Sequence, residues 1–150
     1  MLRSVDINPL YYAIAVLIVI GIWIVKQRLS YALLIAYSFL VVSTTLLRRT
    51  IGESAYQLIP FWSYSDPKLR QQIIANILMF IPVGLFGANI WKWKAILLSM
   101  SFSAMIELTQ LITKRGLFEF DDIIHNTLGA AIGVVFIMMI SRVWRRLIQK

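Results

Sequence analysis

Five apolar stretches, separated by short polar segments, follow one another along the chain. A helix needs roughly 17–25 mostly apolar residues to cross the hydrocarbon core of a bilayer, because each residue advances it by about 1.5 Å. The stretches are close to this length, so the pattern predicts an all-α integral membrane bundle of about five transmembrane helices. The predicted spans are residues 10–25, 31–47, 73–90, 95–112 and 123–140.

The connections between these spans are too short to hold a second domain, which predicts a single transmembrane domain over residues 1–150. The first span ends at Lys26 without a small-residue cleavage pattern, so we expect a retained helix rather than a signal peptide. The longest connection, residues 48–72, is rich in aromatic residues and proline. This composition suits a re-entrant or surface-bound segment in the membrane interface, and it also fits an ordinary loop with interfacial aromatics.

Composition agrees with a membrane protein. Hydrophobic residues make up 59% of the chain and the mean hydropathy is +0.76, whereas apolar residues and glycine together make up roughly 45–50% of a soluble domain. The net charge is +8, which we interpret as a reflection of membrane topology rather than of a nucleic-acid partner. The absence of cysteine excludes disulfides, thiol catalysis and cysteine-bound metals.

The orientation of the bundle depends on its basic residues. With five spans, the 15 Lys and Arg residues divide almost evenly between the two membrane faces, so their number alone decides nothing. The hinge at residues 91–94 and the C-terminal tail combine basic residues with Trp91, Trp93 and Trp144, which favours a cytoplasmic location for that face. We therefore expect a multi-pass protein of the cell membrane with its N-terminus outside and its C-terminus in the cytoplasm.

Polar residues within the spans are the candidates for function, because they are costly to place in lipid. Glu107 lies inside the fourth predicted span, and a carboxylate there indicates a functional site by default. Ser99, Ser103, Glu107 and Gln110 recur at helical spacing, so they form one stripe that must face protein or water.

The fifth and third predicted spans carry similar faces. Asp122 and Asn126 begin the stripe on the fifth span, and Asn76 begins it on the third. Small residues follow in each case, and a Gly-x-x-x-Gly pair allows the backbones of two membrane helices to approach closely. The glycines predicted to lie at helix contacts are Gly84, Gly129 and Gly133.

Alternating crossings of the membrane bring the polar ends of these three spans to the same face. The connection between the fourth and fifth spans adds Arg115 there, which predicts a pocket of carboxylate, guanidinium and amide groups. In the alternative interpretation, Arg115 pairs with Glu107 or Asp122 and only locks the helices together. The predicted ligand-binding residues are Asn76, Glu107, Gln110, Arg115, Asp121, Asp122 and Asn126.

Metal chemistry is poorly supported by these residues. His125 is the only histidine, so the one arrangement to consider is a site formed by Asp122, Glu107 and His125. We expect neither a metal nor a cofactor.

Three motifs, in order and at compatible spacing, resemble the VanZ family. They are Asn76-Ile77-Leu78-Met79-Phe80-Ile81-Pro82-Val83-Gly84, Glu107-Leu108-Thr109-Gln110, and Arg115 followed by Asp121-Asp122-Ile123-Ile124-His125-Asn126-Thr127-Leu128-Gly129. The similarity covers residues 57–133, and His125 stands where the family usually has an apolar residue. The resemblance implies a bacterial membrane protein linked to low-level resistance to glycopeptide antibiotics of the teicoplanin type.

Two hypotheses for the function follow. The first is a protein without enzymatic activity whose pocket at the outer face binds or handles an envelope lipid, a lipoglycopeptide or a lipid-linked cell-wall intermediate. The second is an intramembrane enzyme acting on a lipid-linked substrate, with Glu107 or Asp122 as general base or metal ligand. The composition favours the first hypothesis, in which membrane lipids are the partners, and it indicates no oligomeric state.

Overall fold

The computed structural model of the chain describes residues 27–47, 51–52, 55–65 and 69–148. The first described helix continues at its end as a π-helix over Ser43–Leu47, and a 3₁₀ helix spans Trp62–Ser65. Two short strands lie in the connections between the helices. The elements are α1 (Gln27–Val42), β1 (Ala55–Gln57), α2 (Arg70–Trp91), α3 (Lys94–Thr113), β2 (Leu117–Glu119) and α4 (Phe120–Ile148).

Four helices in the described part of the chain are long and apolar enough to cross a membrane. They confirm an all-α, multi-pass membrane architecture, with a count of four where the sequence predicted about five. The first predicted span, residues 10–25, lies outside the described residues. The four candidate spans are Arg28–Leu47, Arg70–Trp91, Lys94–Thr113 and Phe120–Trp144.

The last helix is longer than predicted at both ends. The sequence pattern placed it at residues 123–140, whereas α4 begins at Phe120 and continues to Ile148. Hydropathy marks only the apolar part of a helix, and the polar residues at the two ends are compatible with helical structure. Asp121 and Asp122 in the first turn interact favourably with the positive end of the helix dipole.

Helices α2 and α4 run parallel and in close contact. An ideal Cβ atom at any of the three glycines predicted for helix packing would overlap a carbonyl oxygen of the facing helix. Only the hydrogen side chain of glycine allows the two backbones to approach so closely. The overlapping pairs are Gly84 with Ala130, Gly129 with Ile77, and Gly133 with Ile81.

The two strands pair in parallel, with Tyr56 opposite Phe118. This contact attaches the segment before α2 to the connection between α3 and α4, and the amide of Gly52 donates a further hydrogen bond to the carbonyl oxygen of Lys114 at 2.7 Å. The described part of the long connection therefore packs against protein at the end of the bundle where α2 and α4 begin.

Candidate functional site

Polar side chains from three helices gather at one end of the bundle. Because α2 and α4 are parallel and α3 runs in the opposite direction, the start of α2, the end of α3 and the start of α4 lie together. Most of these side chains are buried, with exposed fractions of at most 7%. The buried group comprises Ser103, Glu107, Gln110, Asp121, Asp122 and Asn126.

Glu107 ties α3 to the segment that follows it. The side chain is 2% exposed, and Oε2 accepts a hydrogen bond from the backbone N–H of Glu119 at 3.0 Å. A carboxylate that accepts a backbone N–H forms a charge-assisted bond, which is stronger than a bond between neutral groups. Glu107 therefore holds β2 over the end of α3.

Gln110 and Arg115 reach the C-terminal end of the first described helix. Gln110 Nε2 donates to the carbonyl oxygen of Thr45, and Arg115 Nη1 donates to that of Leu46, both at 3.3 Å. The last carbonyl groups of a helix lack partners within the helix and carry its negative dipole end, so donors of this kind stabilise them. Between the described residues Arg115 and Glu107 the structure contains no ion pair.

Asp122 and Glu119 of β2 both accept hydrogen bonds from the side-chain amide group of Gln72. The amide nitrogen of Gln72 lies 3.4 Å from both carboxylate oxygens of Glu119 and 3.4 and 3.5 Å from those of Asp122. These are long hydrogen bonds. The sequence interpretation missed Gln72, although Gln72 lies four residues before Asn76 and therefore on the same face of α2.

Asn126 and Asn76 carry complementary polar atoms that are buried and have no partner in the described part of the chain. Asn126 Nδ2 donates to Ser103 Oγ at 2.8 Å, while its Oδ1 is unpartnered, and Asn76 Nδ2 is also unpartnered. Asn76 directly precedes Ile77, and Asn126 lies about one turn before Gly129, which touches Ile77. Each unpartnered atom costs free energy in a site shielded from water.

Asp121 is directed away from this group. Its two carboxylate oxygens accept hydrogen bonds from the backbone N–H groups of Phe61 and Ser63 and from the Ser63 hydroxyl group, and the side chain is fully buried. Phe61 has a φ of 62°, in the left-handed region that is unusual for a residue with a side chain. Asp121 thus holds the turn at residues 61–63 in place, a role that the sequence did not reveal.

His125 belongs to the same contact with the 61–64 turn. Its Nε2 lies 3.1 Å from Tyr64 Oη, and the two rings pack with their centroids 5.5 Å apart. His125 Nδ1 is buried without a partner in the described residues. Within the described residues, no group of three or more His, Asp or Glu residues could hold a metal ion.

The structure therefore places all seven predicted ligand-binding residues at one end of the bundle, and it directs Asp121 towards the loop at residues 61–63. The family model of VanZ/LLP1 matches residues 11–142, a range wider than the 57–133 region that holds the motifs. No curated protein and no solved structure matches the chain. Because the matched region covers most of the sequence, the chain belongs to the VanZ/LLP1 family.

Proposed function

We propose that the polar group at the start of α2 and α4 binds the polar head group of an envelope lipid or lipoglycopeptide at the outer face of the membrane, and that this binding underlies tolerance to glycopeptide antibiotics of the teicoplanin type. The observation that carries the proposal is the burial of Glu107, Asp122 and Asn126 between membrane-spanning helices. Ionisable side chains at such positions are costly, and they mark functional sites in membrane proteins.

The chemistry of the group suits a ligand with hydroxyl, amide and acidic functions. Asn76 offers an unpartnered N–H donor and Asn126 an unpartnered carbonyl acceptor, which together match a hydroxyl or amide group that both donates and accepts. Arg115 carries five N–H donors, of which one bonds to Leu46. Its guanidinium group can therefore bind a phosphate or carboxylate of the ligand.

The carboxylates position their surroundings in this proposal. Glu107 fixes β2 through the N–H of Glu119, and Asp122 lies beside the amide group of Gln72. Glu107 would thus hold β2 beside the ligand, and Asp122 would orient the amide group of Gln72.

Conservative substitutions in the site test the proposal. We expect Glu107→Gln, Arg115→Gln and Asp122→Asn each to abolish teicoplanin tolerance and the retention of co-purified lipid while the protein stays folded. Glu107→Gln and Asp122→Asn keep the shape of the side chain, whereas Arg115→Gln replaces the guanidinium group by a shorter amide. Each variant removes one charge from the proposed site. Native mass spectrometry of the purified variants would measure the lipid, and thermal melting in detergent would measure stability.

A matched control uses the neighbour of Arg115. Lys114 is an exposed cation, so Lys114→Gln removes the same charge without touching the site and should keep parental tolerance. The proposal fails if the Glu107→Gln/Arg115→Gln double variant recovers tolerance that the single variants lose. It also fails if each single variant loses about 3–5 kcal/mol of stability, as expected when a buried pair is broken.

The proposal also requires the polar end of the bundle to face outward. We expect a reporter inserted in the hinge at residues 91–94 and another fused after Lys150 to report a cytoplasmic location. The hinge follows α2, and α4 ends at the same side of the bundle because α2 and α4 are parallel. If both reporters are external, the polar site faces the cytoplasm and cannot meet an extracellular antibiotic.

A further inference from the structure

An apolar groove lies at the opposite end of the bundle from the polar site. Its volume is about 230 Å³, and it runs between α1 and α3 over the surface of α2. It includes the half of α3 that begins at the hinge. The residues that define it are Leu34 and Ser38 on α1, Val83 and Gly87 on α2, and Leu98 and Phe102 on α3.

Small residues line the groove next to the hinge. A Cβ atom on Gly87 would lie 3.0 Å from the Cβ atom of Ala95, so α2 and α3 approach closely there. Beside the groove, Ile35 is 69% exposed and Leu97 is 63% exposed. Since these helices are long enough to span a membrane, we expect the open side of the groove to face acyl chains.

Positive charge surrounds the end of the groove nearest the hinge. Trp91 lines the groove there, and the adjacent Lys92 and Lys94 are exposed. The N-terminal end of α1 lies at the same end, because Asn89 Nδ2 donates to Ser30 Oγ at 3.3 Å and the rings of Tyr31 and Trp91 pack edge to face at 6.2 Å.

The start of α1 therefore contributes a third exposed cation, Arg28. The acidic residues within the described ranges all lie at the other end of the bundle, so none of them neutralises these cations. Those acids are Glu107, Glu119, Asp121 and Asp122.

We propose that this region binds an anionic phospholipid, with an acyl chain in the groove and its phosphate beside Lys92, Lys94 and Arg28. An engineered apolar cavity of about 150 Å³ holds a benzene molecule, so a groove of about 230 Å³ accommodates a segment of acyl chain. The basic residues supply the charge complementarity, because each Lys or Arg near the membrane surface adds attraction for anionic lipid. The site is separate from the polar site and does not depend on its function.

Titration of the purified protein with phosphatidylglycerol, followed by native mass spectrometry, tests the charge component. We expect Lys92→Gln/Lys94→Gln to weaken binding by about 10- to 30-fold. The parent should also prefer phosphatidylglycerol to phosphatidylcholine with the same chains. The matched control is Arg142→Gln/Arg146→Gln, which removes two exposed cations of α4, a helix that does not line the groove. The control should stay within about twofold of the parent.

The groove component needs a separate variant. We expect Ser38→Phe to fill the groove and abolish phosphatidylglycerol binding. Because the chain has no cysteine, a photoreactive probe can also be attached at Ser38→Cys, and we expect it to crosslink to phospholipid in membranes.

Several results would overturn this assignment. Equal loss of binding in the two double variants would show that binding depends on the overall positive charge of the protein and not on the cations beside the groove. Parental binding by Ser38→Phe would show that the groove takes no chain. A crosslink from position 38 to the protein itself, or no crosslink at all, would show that lipid does not occupy the groove. The crosslink is informative even if Ser38→Phe fails to fold.

Discussion

Replacing Gly129 or Gly133 with alanine is expected to lower the free energy of unfolding by about 3 kcal/mol, the upper end of the usual cost of overpacking. A single added methyl group at either position would overlap a backbone carbonyl oxygen of α2, at Ile77 or Ile81. Backbone cannot move aside as a flexible side chain can, so the helices must separate. Thermal melting in detergent should show the loss as a lower melting temperature for each variant.

Gly52 supplies the matched control for this prediction. An added Cβ atom there would meet nothing within 4 Å, so Gly52→Ala should melt like the parent. Gly87→Ala should have an intermediate effect, because its added atom would press on the side chain of Ala95 rather than on backbone. Parental melting of both Gly129→Ala and Gly133→Ala would contradict the close contact between α2 and α4.

The periodicity of the sequence carried most of the information about the helices. Apolar stretches predicted the four described spans, and helical spacing placed Asp122, Asn126, Gly129 and Gly133 on one face of α4. Hydropathy could not predict the ends of α4, because its first and last turns contain charged residues. The pairing of β1 with β2 also escaped prediction, since two three-residue strands that are distant in the sequence have no local signal.

Helical geometry also explains why the adjacent Asp121 and Asp122 have different neighbours. Successive residues of a helix point about 100° apart, so Asp121 and His125 share one face of α4 while Asp122 and Asn126 share another. The first face meets Ser63 and Tyr64 of the loop, and the second faces α2 and α3. The sequence showed two adjacent carboxylates, but it did not show that the loop donates hydrogen bonds to one of them.

The hydrogen bond of Arg115 to the end of α1 could not be predicted from the sequence. Its guanidinium group bonds to the carbonyl oxygen of Leu46, which lies in the π-helix over Ser43–Leu47 at the end of α1. The relative positions of α1 and α3 decide that contact, and hydropathy does not specify how one helix is shifted against another.

Asp121→Ala is expected to destabilise the protein by about 3 kcal/mol and to release the turn at residues 61–63. The substitution removes the acceptor of two backbone N–H groups and one hydroxyl group. Hydrogen bonds to a charged group contribute about 1.5–3 kcal/mol each, and a buried donor left without a partner costs further free energy. Melting in detergent would measure the stability, and faster amide hydrogen exchange at Phe61 and Ser63 would locate the change.

Two further variants separate this positioning role from ligand binding. Ser63→Ala removes only the hydroxyl donor and should cost about 1 kcal/mol. Asp122→Asn, one residue away on the other face of α4, should melt like the parent while losing tolerance. If Asp121→Ala instead keeps parental melting and slow exchange at Phe61 and Ser63 but loses tolerance, its carboxylate contacts the ligand, and the loop contact is incidental. The stabilities of the Asp121→Ala and Asp122→Asn variants thus distinguish a side chain that stabilises the fold from one that is proposed to act in ligand binding.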